Sequence, residues 1–259
     1  MIYVITHKVF DDKNFCKDGY KVLHVGTNDN MKLYYLRDDV GDNIAKKNPY
    51  FCELTGMYWI WKNSEENPED IVGLVHYRRG FTSKRENLSY SFGGNVPQNI
   101  EFRQAEMLLK GYDMIVPIPE KGFKTVCQTY AKMHHGEDLI LTREAIAEAC
   151  PEYLNAFDQA MKEHYYFNGN MFITQKKNFD AYASWLFSIY DRLEKKIDLS
   201  KYEDTYQARV YGFISERLLN VWLLHNKVNY KELPVFNTEI RSMNVLTKNI
   251  GRVEKIFKR

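Results

Sequence analysis

The apolar positions along the chain mark short strands separated by helical stretches. Residues 2–6 (Ile-Tyr-Val-Ile-Thr) and 21–25 (Lys-Val-Leu-His-Val) predict two strands, each closed by a polar or glycine-containing loop. Gly41 to Pro49 is a punctuated turn, and from Tyr50 to Lys62 apolar and aromatic residues recur at mixed three and four spacing, predicting a buried helix. After Pro68, Ile71-Val72-Gly73-Leu74-Val75 is continuous rather than alternating, which predicts a central strand covered on both faces. It opens into His76-Tyr77-Arg78-Arg79-Gly80. Residues 82–98, rich in Ser, Asn and Gly, read as a flexible loop beside an active site. A helix over 101–110 and a strand over 112–117 follow. The next helix, over 142–149, has Thr142 as its N-cap. Pro151 starts another helix to about residue 163, residues 170–174 form a strand, and 178–195 and 211–225 are long helices. The alternation predicts one layered α/β domain over 1–259, with 120–165 as a helical insertion or subdomain. No repeat or low-complexity tract interrupts it.

Composition narrows the class. With 259 residues, 44% of them apolar, and only 14 Gly and 7 Pro, the chain is an ordered protein with a sizeable core, neither disordered nor collagenous. Thirty-six Lys plus Arg against 34 Asp plus Glu leave a net charge of +2, too little to draw the chain to nucleic acid, so an anionic partner must be held locally. Aromatic residues reach 15%, enough to fill a core and to line a surface for flat, partly polar ligands. Cysteines 16, 52, 127 and 150 form no C-x-x-C pair, and four scattered thiols suit a reducing compartment. The opening residues lack a signal-peptide pattern, and no apolar run reaches bilayer length. The expected location is cytoplasmic, with peripheral seating at the inner face of the plasma membrane as the alternative.

Chemistry concentrates in a few segments. Arg78 and Arg79, at the end of a buried strand, have the geometry to grip a diphosphate, and pairing with surface carboxylates is an equally weighted alternative. His76 either contacts phosphate or completes a buried polar network. Asp38, Asp39, Asp42 and Asn43 offer acceptors and amides to a sugar or nucleotide, or simply cap a turn. Glu53 lies in a strongly apolar stretch and needs a partner, for which a basic strand-end group is one candidate. Asn168 and Asn170 flank Gly169 at the mouth of a strand and suit hydroxyl recognition, with a plain β-turn as the simpler reading. Glu216 and Arg217 sit among core-forming residues, where Glu216 serves either as a general base or in a salt bridge. His134-His135-Gly136-Glu137-Asp138 lacks the spacing of a zinc helix, although one of these histidines suits a phosphate or acceptor contact. Neither G-x-x-x-x-G-K-[ST], G-x-G-x-x-G nor G-x-S-x-G occurs, which argues against P-loop, Rossmann and α/β-hydrolase enzymes.

Taken in order, Asp39–Ile44, Lys47–Asn63, Val72–Arg79, Tyr112–Pro117, Phe167–Phe172 and Gly212–Asn220 resemble a bacterial glycosyltransferase-like family that accompanies capsular and exopolysaccharide synthesis. The resemblance covers nearly the whole chain. It implies a glycosyltransferase A-type nucleotide-sugar-binding fold, a central mixed sheet flanked by helices. It also implies transfer of a hexose such as galactose from a nucleotide sugar, for instance a UDP-hexose, to a glycan or lipid-linked glycan acceptor. Many enzymes of that fold carry a D-x-D triplet that holds manganese or magnesium against the diphosphate. Here the corresponding strand end carries His76-Tyr77-Arg78-Arg79, so cationic side chains are expected to replace the metal, with recruitment of a cation by Asp113 as the less favoured alternative. The implied assignment gives Arg78 and Arg79 to the diphosphate and Glu216 to the general base of an inverting reaction, or to orienting the sugar in a retaining one. His7, Glu53, His76 and Tyr77 join the binding set, with Asp39, Asp42 and Asn43 orienting the donor and Asn168 and Asn170 reading hydroxyls. The rival readings are a nucleotide-sugar hydrolase or phosphotransferase and a non-catalytic carbohydrate-binding subunit.

Overall fold

The computed structural model describes residues 1–13, 15, 17–202 and 204–239. Cys16 therefore lies outside the described residues, among which Cys52, Cys127 and Cys150 are free thiols. The strands are β1 (Ile2–Thr6), β2 (Tyr20–His24), β3 (Leu36–Arg37), β4 (Ile71–His76), β5 (Arg79–Phe81), β6 (Met114–Pro117), β7 (Glu120–Lys121), β8 (Tyr165–Tyr166), β9 (Phe172–Gln175), β10 (Tyr230–Leu233) and β11 (Val235–Asn237). The helices are α1 (Asn48–Phe51), α2 (Leu54–Asn63), α3 (Lys84–Ser91), α4 (Phe102–Leu109), α5 (Val126–Met133), α6 (Glu137–Ala149), α7 (Leu154–Lys162), α8 (Lys176–Leu193) and α9 (Val210–His225). Strand order in the main sheet is β10-β6-β9-β4-β1-β2-β3, with β5 and β11 branching from β4, and β7 and β8 form a separate pair. β4, β1, β2 and β3 run parallel, β9 is antiparallel to both neighbours, and β6 and β10 are parallel to each other.

Because side chains alternate across a strand, each strand feeds two cores. Tyr3, Ile5, Leu23, Val72, Leu74, Met114, Val116 and Phe172 face a large layer built with α1, α2 and α5–α9. Ile2, Val4, Tyr20, Val22, Val75, Ile115 and Ile173 face a smaller layer closed by Phe81, Tyr90, Ala105 and Phe236. The continuous apolar run of β4 is thus a strand buried on both faces, as expected. Gly73 is required in it, since a Cβ there would stand 2.9 Å from the Phe172 carbonyl oxygen of β9.

Local chemistry departs from expectation at several points. The helix expected over 50–62 is broken at Cys52, whose backbone (φ 53°, ψ −131°) divides α1 from α2. Residues 82–98 are not all loop. Ser83 and Glu86 form a capping box that starts α3, and Tyr90 anchors it by burying its ring and donating to the Asn237 carbonyl at 3.1 Å. Thr142 is interior to α6, where its hydroxyl donates to the Asp138 carbonyl at 2.6 Å, and it caps nothing. Within 120–165, α5, α6 and α7 pack against one another and against α8 and α9, and their apolar residues belong to the large core. Among the described residues no helix is long and apolar enough to cross a membrane.

Candidate functional site

The C-terminal ends of the parallel strands β1 and β4 open into a cleft of about 610 Å³. Its other walls are the α1–α2 bend, the turn entering β9, the residues after α5, and the first two turns of α9. Open α/β sheets place binding sites at such strand ends.

Each wall is shaped by a local device. His76 and Arg79 pair across a tight β4–β5 turn, which carries Tyr77 and Arg78 out of the sheet. Arg78 donates to Glu239 Oε2 at 2.5 Å. At the α1–α2 bend, the Cys52 carbonyl accepts from Asn48 Nδ2 at 2.8 Å and from Thr55 Oγ1 at 3.2 Å, and the bend presents Glu53. Before β9, Gly169 (φ +96°) and Asn170 (φ +48°) are both left-handed. The Gly169 N–H donates to Glu216 Oε1 at 2.9 Å, and Asn170 Nδ2 donates to Glu53 Oε1 at 2.6 Å and to the Gly212 carbonyl at 3.2 Å. A Cβ at 169 would lie 3.0 Å from Arg79 Nη1, so glycine satisfies both the backbone and the packing.

Among the described residues, the guanidinium groups of Arg78, Arg79, Arg209 and Arg217 line the cleft. Arg217 is the most enclosed, with its side chain 2% exposed and its guanidinium 4.3 Å over the Tyr166 ring. It donates to Glu216 Oε2 at 2.7 Å and to the Phe213 carbonyl at 2.9 Å. Arg209 Nε donates to Cys52 Sγ at 3.0 Å, while burial pushes that thiol up to about 12 and favours its protonated form. Burial also raises the Glu216 carboxyl to about 7, with Arg217 opposing and Glu53 reinforcing the shift. His76 is held down to about 4 by burial and is a neutral imidazole at physiological pH. Burial lowers His7 and His134 as well. His76 Nε2 and Arg217 Nε are buried without a hydrogen-bond partner. A site with this inventory can bind a polyanion through its guanidiniums and take up a proton at a carboxylate poised near neutrality. Among the described residues no group of three or more His, Cys, Asp or Glu side chains is arranged to hold a metal ion.

Of the residues singled out from sequence, the fold brings His7, Glu53, His76, Tyr77, Arg78, Arg79, Asn168 and Glu216 together around the cleft. Asn170 is buried just behind the wall, and Glu53 is partnered by it rather than by a basic group. Asn168 donates to Glu120 Oε1 at 2.5 Å. Asp39, Asp42 and Asn43 do not line the cleft. Asp39 pairs with Arg37, Asp42 accepts from the Tyr58 hydroxyl at 3.1 Å, and Asn43 bridges the Gly41 carbonyl and the Ala45 N–H. Asp113 binds the Asn229 N–H at the opposite end of the sheet. Of the two adjacent histidines, His134 reaches the cleft, stacked on Phe213 at 3.9 Å, while His135 packs against Tyr202. Arg209 and Asn48 belong to the cleft without having been singled out. A charged residue opening the apolar run at 210–223 was the available signal for Arg209.

A family model described as "Domain of unknown function (DUF4422)" matches residues 1–227. A comparison with curated proteins gives no match. Among solved structures the chain is similar to the apo structure of WbbM, a bifunctional glycosyltransferase, at 30% sequence identity and a TM-score of 0.77. The alignment covers 92% of this chain and 45% of that one, so the chain spans less than half the length of the protein it matches. The likeness supports the mixed open sheet flanked by helices as a glycosyltransferase A-like arrangement.

Proposed function

Because the chain belongs to the DUF4422 family and shares its fold with a glycosyltransferase, we propose that it transfers a hexose from a nucleoside-diphosphate sugar to a glycan hydroxyl in polysaccharide synthesis. The observation that carries this reading is the convergence of Arg78, Arg79, Arg209 and Arg217 on the cleft that also holds Glu216. In the reaction the acceptor oxygen bonds to the anomeric carbon while the bond from that carbon to the diphosphate oxygen breaks. The nucleoside diphosphate departs with the electron pair. Guanidiniums fixed in place stabilise the charge that develops on it, in the manner of an oxyanion hole. The acceptor proton passes to Glu216, whose raised proton affinity suits it to accept at neutral pH. Arginines thereby carry the electrostatic role that a divalent ion has in D-x-D enzymes, and a UDP-hexose such as UDP-galactose is the first donor to try.

The test is a calorimetric screen of nucleoside-diphosphate sugars, followed by product analysis with and without glycan and lipid-linked glycan acceptors. The expected result is a glycosylated acceptor and a nucleoside diphosphate in equal amounts, surviving exhaustive chelation. Free sugar released regardless of acceptor makes the protein a hydrolase, and glycan binding without turnover makes it a binding subunit. Loss of turnover on chelation with recovery in manganese overturns the arginine assignment.

A further inference from the structure

Three costly features of the cleft converge on one link. Cys52 holds a positive-φ backbone conformation that is strained for a non-glycine residue. Asn170 is left-handed and 2% exposed, and its Oδ1 is buried without a partner, a second unfavourable feature. Gly169 occupies a left-handed conformation that strains any larger residue, and a Cβ there would press on Arg79 Nη1 at 3.0 Å. The result of all three is a connection between two carboxylates on different elements. The Cys52 bend presents Glu53, Asn170 Nδ2 holds its Oε1 at 2.6 Å, and the N–H of the preceding residue holds Glu216 Oε1 at 2.9 Å. Asn170 cannot rotate to relieve its oxygen, because its amide protons are committed to two acceptors, Glu53 Oε1 and the Gly212 carbonyl. Structures retain unsatisfied and strained groups of this kind where they serve a site.

We propose that Glu53, joined to Glu216 through the Gly169–Asn170 turn, is the positioning residue that governs when Glu216 accepts a proton. The proposal rests on the reading of Glu216 as the general base. Glu53 is hydrogen-bonded by a neutral amide, and its carboxylate works against ionisation of Glu216. The other groups facing Glu216 are Arg217 on its own helix, Arg79 from β5 and the Tyr166 phenol from β8. His76 from β4 and Arg209 face Glu53, and the protonated Cys52 thiol adjoins both carboxylates. Both arginines that face Glu216 favour its ionised form, and Glu53 opposes them. Without Glu53, Glu216 ionises at lower pH and becomes a weaker base.

The test is carboxyl ¹³C NMR of the full chain labelled at glutamate, titrated in the wild type and in Glu53→Gln and Asn170→Ala, with Glu216→Gln assigning the resonance. The wild-type Glu216 midpoint is expected at about 7. Glu53→Gln is expected to lower it by about one pH unit, the size of a close like-charge effect. Asn170→Ala, which frees Glu53 without removing it, should lower it part of the way. The acid limb of transfer activity should move with the midpoint. A folded Glu53→Gln protein with the Glu216 midpoint unmoved overturns the proposal. If that variant does not fold, an unmoved midpoint in Asn170→Ala does the same. A purely structural Glu53 would lower the melting temperature and leave the midpoint in place, which also counts against it. Full transfer activity in Glu216→Gln sinks the general-base reading instead, and is told apart because the NMR midpoints do not depend on turnover.

Discussion

The Asp38–Asn43 loop after β3 and the β4–β5 turn are both polar stretches that follow short strands, yet they dispose of their polar groups in opposite ways. Asp38 itself is buried, accepts from the Gly26 N–H at 2.9 Å and leaves Oδ2 unpaired, but after it the bonds of the loop close within the loop and the adjoining α2. Asp39 pairs with Arg37 two residues away, Asn43 bridges Gly41 and Ala45, and Asp42 reaches only to Tyr58 and Asn63 on the adjoining α2. At the turn, Arg78 meets Glu239 across 161 residues, Arg79 stands against Gly169, and His76 Nε2 has no partner. A group satisfied by its own neighbours completes the fold. A group brought to a cavity by distant elements, or left there unsatisfied, is available to a ligand.

The strongest way to break this contrast is Glu216, which should show opposite effects on activity and stability. Glu216→Gln is expected to cut transfer by about 10²–10⁴-fold, the range for a lost general base. Its folded-state value of about 7 lies above the ordinary 4.5 because burial favours the protonated form. The stability contributed by the protonated carboxyl is therefore complete below 4.5 and is lost as pH rises through 7. Gln stays neutral, so the variant should melt at higher temperature than the wild type above pH 7, and the gap should close toward pH 5. Thermal denaturation at pH 5 and 8.5 checks this. A variant less stable at both pH values would make Glu216 a structural ion-pair partner of Arg217.

Next in size is Arg79→Ala, expected to lower kcat/KM by about 10²–10³-fold, as for removal of one fixed donor to a developing anion. Arg79→Lys should recover only part, since an ammonium lacks the planar two-pronged geometry. Titration with UDP separates the effect on ground-state binding from that on turnover. Kinetics within threefold of wild type for Arg79→Ala would erase the distinction between turn and loop.

Gly169→Ala should act mainly on the fold. The φ of +96° and the 3.0 Å approach to Arg79 Nη1 are expected to cost about 1–3 kcal/mol in urea denaturation. A stability unchanged within error would mean that the turn relaxes freely and does not hold the two carboxylates.

What the amino-acid order made legible follows from how locally each feature is encoded. β1 and β4 are short but largely apolar and α9 is mostly apolar along its length, so their burial needs no knowledge of the rest of the chain, and the strand-end position of Arg78 and Arg79 follows from β4 alone. α3 was hidden because Tyr90 is its one buried residue and its remaining sequence is polar, although the Ser83 and Glu86 capping box marked its start. The break at Cys52 is invisible to periodicity, since apolar spacing continues through it while Asn48 and Thr55 fix the bend. In the site, Glu53 was recognisable as a carboxylate in need of a partner, but that partner is 117 residues away and neutral. His134 and Arg209 join the cleft only through the packing of α5 and α9 against the large core, a property of the assembled layers.

The smallest expected effect is the most discriminating for the comparison itself. Asp39→Asn and Asp42→Asn remove charges that resemble donor-orienting carboxylates in sequence but are held outside the cleft. Asp39 is paired with Arg37 at a partly exposed position, where an ion pair contributes about 0–1 kcal/mol, and Asp42 holds one phenol. Each variant should lose no more than about 1 kcal/mol of stability and keep transfer within about twofold of wild type, with KM for the nucleotide sugar unchanged. A rise in that KM of tenfold or more, with the melting temperature intact, would mean that the loop moves to meet the donor. Local closure of hydrogen bonds would then cease to separate structural from functional polar groups in this fold.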